Sequence, residues 1–338
     1  MEQRRFSGKG HWYHETQSNH AQTDVLPLVP EAANVDDRFL LDLALPDEIV
    51  AACSGWLTPA RALCHQLFPL SIPVNRLHTL SAYDRLSTAL TVAQACGVQR
   101  LCNHYAALLA PLPGPDSSRE SNRRLAQITQ YARQLASSPD VIDDKAQNQL
   151  DEVGLSIYDI VVINQIIGFI GFQARVVAVF QALLGHPVRW LPGHHIQPHT
   201  LPASHAAWVP LLPVVELRYA SAHQLESLSR WQAEPALEAL TPVLCHEPSL
   251  LDLTGEILLN TREAIPLTSP ALSAAVELLT RSPDRFSAAQ FTPLTDQGLP
   301  GEHAIMLLTR SALYTDIKVV SFNMKKTLKL STSSDRPT

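Results

Sequence analysis

From the polar turn at residues 151–156 to Gly185, the chain runs through apolar side chains with a single cation, Arg175. Ser156 stands at the head of this run as a helix cap. A helix that is apolar on every face must be enclosed on every face, so the rest of the chain has to wrap around it. Asn164, Gln165 and Gln173 interrupt residues 160–174. That stretch is too short and too polar to cross a bilayer, which takes about 20 apolar residues. An unsatisfied buried amide costs about 1–3 kcal/mol, so these three are expected to pair across a helix interface or to polarise a pocket. Gly168 and Gly171 allow a neighbouring helix to approach closely. Arg175 is expected to form an ion pair, with Asp151 or Glu152 as candidates.

At 338 residues, 46% hydrophobic and 17% charged, the chain can bury a sizeable core and is long enough for about two domains. A net charge of −6 gives no reason to expect a nucleic-acid partner, and no segment calls for a membrane. Twenty-five prolines against 13 glycines suggest many helix starts and stiff connectors. Residues 1–22 lack the apolar stretch of a secretory signal. The five cysteines, Cys53, Cys64, Cys96, Cys102 and Cys245, are odd in number and scattered. Both facts favour reduced thiols and a cytoplasmic location.

Helical periodicity dominates and implies an all-α fold. Two short helices are expected over residues 47–53 and 58–68, the second capped by Thr58 with Pro59 at its first position. Further helices are expected over 81–95 behind Ser81, over 98–110 after an interruption at Gly97, over 119–136, and within 139–154. No stretch alternates strictly enough for a convincing sheet. Residues 185–210, rich in Pro and His, read as a connector, with helix resuming near Ala222. A weak internal echo links residues 57–65 to 240–246 and 80–94 to 267–281, pointing to a duplicated helical unit or to chance matching of Leu- and Ala-rich helices.

The segment `YDRLSTALTVAQACGVQRLCNHYAALLA`, the later `LDEVGLS` turn and the long apolar helix resemble the AhpD-like, carboxymuconolactone decarboxylase superfamily. Together with the opening `MEQRRFSGKGHWYHETQ` and the second half, the chain resembles its YciW-type, peroxidase-related members over about residues 1–313. The resemblance implies an AhpD-like helical bundle in two tandem units, the second degenerate. The implied layout is an N-terminal extension over 1–46, a first unit over 47–184, a connector over 185–221, a second unit over 222–313 and an atypical basic, polar tail over 314–338. It further implies a homo-oligomer, a peroxide or other small-molecule substrate and an external thiol reductant. Neither a cofactor nor a metal is expected.

Family chemistry rests on Cys-x-x-Cys-x-x-x-His. Cysteines three apart on a helix lie about 60° apart around it and about 4.5 Å apart along it, and a histidine four residues on returns to the same face. With Cys102 as the second cysteine, the first position is Gln99 and the histidine position is Ala106. His104 lies about 200° round the helix from Cys102, and Cys96 lies about 9 Å back along a continuous helix, beyond disulfide reach unless Gly97 breaks it sharply. Asp84, the nearest acid to the family's glutamate, is out of register. In the second half, residues 278–294 are taken as the corresponding slot and hold neither Cys nor His.

The candidate catalytic residues are therefore Cys102, His104, Tyr105 and Cys96. A sulfenic acid at Cys102, reduced by an outside thiol, is one reading, and a packing cysteine is the other. His194, His195 and His199 invite a metal, but Pro192, Gly193 and Pro198 oppose the helix that would gather them. Two functions stand side by side: a thiol oxidoreductase, and a non-catalytic helical binding or scaffold protein that keeps the fold. A decarboxylase or lactone-opening enzyme is a third.

Overall fold

The computed structural model describes residues 35–142, 144–188, 196–197, 208–262, 269–299 and 301–327. Twelve α-helices make up the described protein, which is all-α. They are α1 (Asp47–Leu67), α2 (Ala82–Cys96), α3 (Gln99–Leu109), α4 (Arg119–Ser137), α5 (Asp144–Glu152), α6 (Ile157–Leu183), α7 (Ala222–Trp231), α8 (Thr241–Leu244), α9 (Pro248–Asn260), α10 (Pro270–Arg281), α11 (Thr292–Asp296) and α12 (Gly301–Met324). The one sheet among the described residues pairs β1 (Trp208–Pro210) antiparallel with β2 (Lys325–Thr327), Trp208 opposite Thr327.

Helix α6 is the axis. It packs against α12, α2 and α4. By length and composition it could cross a membrane, but 89% of its most apolar window is buried inside the protein. Its start is held by a capping box: Ser156 Oγ accepts from the Asp159 amide, and the Asp159 carboxylate accepts from the Ser156 amide. The same carboxylate accepts from the Thr79 amide at 2.9 Å and the Thr79 hydroxyl at 2.7 Å, pinning the α1–α2 loop to α6. Helix α2 begins with an equivalent box between Ser81 and Asp84. Asp84 therefore has a capping role.

Two amides of α6 find the interface partners they need. Asn164 accepts from the Tyr131 hydroxyl at 2.9 Å and donates to the Ile160 carbonyl at 2.8 Å. Gln173 accepts from the Tyr105 hydroxyl at 2.7 Å and donates to the carbonyls of Arg38 and Phe39. The close crossing of α12 over α6 depends on glycine. A methyl group at Gly168 would run into Val320, and one at Gly171 into the Asp316 carboxylate.

Two expectations need correction. Residues 47–67 form one helix, with Pro59 inside it. A mid-helix proline costs about 3 kcal/mol. Burial of Cys53, Trp56, Leu57, Ala60 and Leu63 along one face, on both sides of the proline, outweighs that cost. The expected boundary at 314 falls inside α12, whose Ile317, Val319 and Val320 are buried against the rest of the core. Residues 328–338 of the expected tail lie outside the described residues.

A backbone repeat runs through the protein at one constant offset. Helix α4 ends at Ser138 (φ −154°, ψ 67°) and passes into a 3-10 turn at Pro139–Val141; α10 ends at Ser282 (φ −148°, ψ 66°) and passes into a 3-10 turn at Pro283–Arg285. Further on, Gly154 (φ 81°) and Gly298 (φ 76°) each close a turn in which the next amide, of Leu155 or Leu299, donates back to Leu150 or Leu294. Long helices follow both turns: α6 after the first, α12 after the second. Residues 278–294 thus repeat residues 134–150, and not the α2–α3 region. Between the halves, the Gln197 amide donates to the Ser137 carbonyl and the Ile196 amide to the Arg281 carbonyl, so two successive residues cap the ends of the two equivalent helices. Residues from both halves share one hydrophobic core.

Candidate functional site

Helix α2 ends at Cys96 because Gly97 takes a left-handed conformation (φ 73°, ψ 5°), and its amide donates back to the Ala93 and Gln94 carbonyls. Helix α3 restarts at Gln99 in a new direction. The break that the sequence left conditional is therefore present. It brings the Cys96 sulfur within electrostatic reach of the Cys102 sulfur, where it helps to raise the Cys102 thiol.

This joint sits on the seam between the two repeats. From α6, Arg175 donates through Nη1 to Asp316 Oδ1 on α12 at 3.0 Å and to the Gly171 carbonyl at 3.1 Å. Its Nη2 donates to the Thr280 carbonyl at 3.0 Å, and its Nε has no partner among the described residues. Both members of the ion pair are buried. Arg175 thus finds its anion on a helix far along the chain, in place of Asp151 or Glu152; Glu152 pairs with Arg123 at 3.1 Å. Asp284, from the 3-10 turn of the second repeat, lies against Gly97. Burial pushes Asp316 up to about 7 against the pull of Arg175. Burial likewise pushes Cys96 up to about 12, with Arg175 lowering it and Asp316 and Asp284 raising it.

Cys102 is half-buried at the joint. Packing around its sulfur nevertheless pushes that thiol up to about 12, with Cys96 as the second cause. Burial also raises Cys53 to about 11 and Cys64 and Cys245 to about 12. The other two residues proposed for this site face other work. Tyr105 is fully buried, its hydroxyl is committed to Gln173, and its ring packs on Phe68 with centroids 5.4 Å apart. His104 is buried edge-on to Tyr105, with centroids 5.1 Å apart.

Cys96 thus feels Arg175, Asp316 and Asp284, and Cys102 feels Cys96. Sequence reasoning missed both acids. The readable signal for Asp316 was a lone acid in the apolar run `ALYTDIKVV`, the natural counterpart of a lone cation in another apolar helix. His11, His14, His194, His195 and His199 lie outside the described residues. Among those described, no group of three His, Cys, Asp or Glu side chains could hold a metal ion. Compared with known protein families and with curated proteins, the chain matches none.

Proposed function

We propose that this chain is an AhpD-like, two-unit helical protein that acts as a peroxidase-related thiol oxidoreductase through Cys102 and Cys96. The observation that carries the reading is the Gly97 break, which couples two thiols that a continuous helix would hold apart. Cys102 is the less buried member and meets the peroxide; Cys96 is buried within electrostatic reach of Arg175 and resolves it. After losing its proton to water, the Cys102 thiolate attacks one peroxide oxygen. The O–O bond breaks, the leaving alkoxide or hydroxide takes up a proton, and Cys102 becomes a sulfenic acid. The Cys96 sulfur then attacks the Cys102 sulfur, water departs, and a disulfide forms. An external dithiol reduces it back to two thiols. The AhpD-like layout draws support from the backbone repeat of α4–α6 in α10–α12, and α6 meeting α12 supplies the site's ion pair.

A thiol raised to about 12 reacts slowly at neutral pH, so the activity should be low at pH 7 and climb with pH. The test is peroxide consumption from pH 7 to 9 with a dithiol reductant, for the protein and for Cys102→Ser and Cys96→Ser. Expected are loss of turnover in the first variant, a persisting sulfenic acid in the second, and a Cys96–Cys102 disulfide by mass spectrometry in the unsubstituted protein. Peroxide loss that never exceeds buffer, or is indifferent to Cys102→Ser, overturns the reading. The second reading, a non-catalytic helical binding protein, rests on the five raised thiols: reactive cysteines sit in electropositive, accessible places that lower their pKa.

A further inference from the structure

The two halves of the chain touch at the thiol joint itself. Between Cys96, which ends α2, and Cys102, in the first turn of α3, only Gly97 and Val98 are not helical. Val98 is buried, and its carbonyl accepts from the Leu101 and Cys102 amides, so it is bound to α3. Gly97, in its left-handed conformation, is where the two helices can turn against each other. Asp284 closes over that place. A methyl group on Gly97 would stand 3.1 Å from the Asp284 Cβ and 3.3 Å from its Oδ2, so the aspartate side chain rests against the glycine backbone.

Asp284 belongs to a short lever. The Ser282 amide donates to the Leu278 carbonyl, the Arg285 amide to Ser282 and the Phe286 amide to Pro283, which ties the last turn of α10 to the 3-10 turn carrying Asp284. The same last turn presents the Thr280 carbonyl to Arg175 Nη2 at 3.0 Å, and Arg175 Nη1 holds Asp316 of α12. A displacement at Gly97 therefore reaches the α6–α12 crossing through contacts already in place: Gly97 to Asp284, the lever to Thr280, Thr280 to Arg175, and Arg175 to Asp316. The far end of that path has little slack. Arg175 Nε is already without a partner among the described residues, and α12 lies as close to Gly168 and Gly171 as their missing side chains allow. Losing one more buried hydrogen bond would leave the ion pair poorly satisfied.

We propose that a Cys96–Cys102 disulfide acts as a redox switch between the two halves: closing the joint turns Gly97 against Asp284, withdraws the Thr280 carbonyl from Arg175 and loosens α12 from α6. The switch presupposes the thiol oxidoreductase function, which supplies the disulfide. A disulfide holds its sulfurs about 2 Å apart within a narrow dihedral range, and free thiols do not approach so closely. Cys96 is buried among packed side chains, where a new rotamer finds little room. The backbone between the two cysteines has to take up the change. The reduced protein keeps the packed crossing, and the oxidised protein carries an opened one. Packed interfaces move between discrete arrangements of this kind.

Diamide, a small azo oxidant, tests the switch without peroxide. Two thiols give up two electrons and two protons to its N=N bond, leaving a disulfide and a hydrazine. The full chain is oxidised at about pH 9, where more of each thiol is ionised, then returned to pH 7 and its disulfides mapped by mass spectrometry. Hydrogen exchange then compares it with the reduced chain. With Cys96 and Cys102 joined, the amides of residues 312–320 on α12 should exchange at least about tenfold faster, those of α7 should not change, and a dithiol should restore the reduced pattern. Absence of the Cys96–Cys102 bond overturns the switch together with the thiol function. A mapped bond with unchanged exchange on α12 overturns the switch alone. So does acceleration that extends equally to α7, or that appears in oxidised Cys102→Ser. Should that variant fail to fold, the oxidised and reduced states of the unsubstituted protein still decide.

Discussion

Arg175 and Asp316 show how much one pair can govern. Removing one partner of a buried ion pair strands the other, at about 3–5 kcal/mol. Arg175→Met should therefore lower stability by about that amount at pH 8, read from urea midpoints. Burial raises Asp316 from its ordinary 3.8 to about 7. The folded state then binds this proton more tightly than the unfolded state. Its contribution is favourable below pH 4, declines as pH rises to 7, and is flat above. Without the guanidinium the carboxyl rises further, so the deficit of Arg175→Met should be smaller at pH 5 than at pH 8. An equal deficit at both would show that Asp316 does not titrate in this range. The thiols carry a second expectation. With all five raised to about 11 or 12, labelling by an aromatic disulfide at pH 7 should be slow and speed up about tenfold per pH unit through pH 9. A fast-labelling cysteine at pH 7 would contradict the packing described around these sulfurs.

At the scale of elements, caps and punctuation were readable and continuity was not. Ser81 and Ser156 carry their own instructions, because a capping box closes within four residues and needs no distant partner. Gly97 is equally local: a residue in the left-handed region ends a helix wherever it stands. Pro59 is the counter-example, since its local signal for a helix start lost to a buried face that runs through it. Close crossings also escape local reading. Gly255 on α9 faces the ring of Trp231 on α7, where a methyl group would overlap the indole. The Trp231 Nε1 also donates to Asp252 Oδ1 at 2.7 Å, so the ring is tethered. Gly255→Ala should cost about 1–3 kcal/mol through overpacking. A thermal midpoint unchanged from the parent would mean that the ring can move.

Over the whole molecule, the second half completes the first. Helix α12 covers α6 and α9 covers α1, so the core is shared across the connector. A fragment ending at residue 188 would leave the α12-facing side of α6 bare, together with an unpaired Arg175. It should be insoluble or bind hydrophobic dyes, and co-expression with residues 208–338 should rescue it. A soluble, cooperatively unfolding fragment would show that the first half folds alone. The repeat of α4–α6 in α10–α12 accounts for this dependence. Each long helix is the missing wall of the other.

What the amino-acid order alone determined was everything that closes over a few residues: the all-helical character, the caps, the break at Gly97, and the need to bury residues 157–183 on every side. Those follow from hydrogen bonds and side-chain periodicity within one or two turns. The repeat was only dimly visible, and in another register, because backbone turns at Ser138 and Ser282 survive changes in side chain that hide them from comparison of letters. Which acid meets Arg175, that Cys96 comes to bear on Cys102, and that Gln165 Nε2 lacks a partner among the described residues where Asn164 and Gln173 are bonded were decided by tertiary packing. Each depends on how α6 and α12 cross, an angle set by summed contacts over the whole core and written in no single segment.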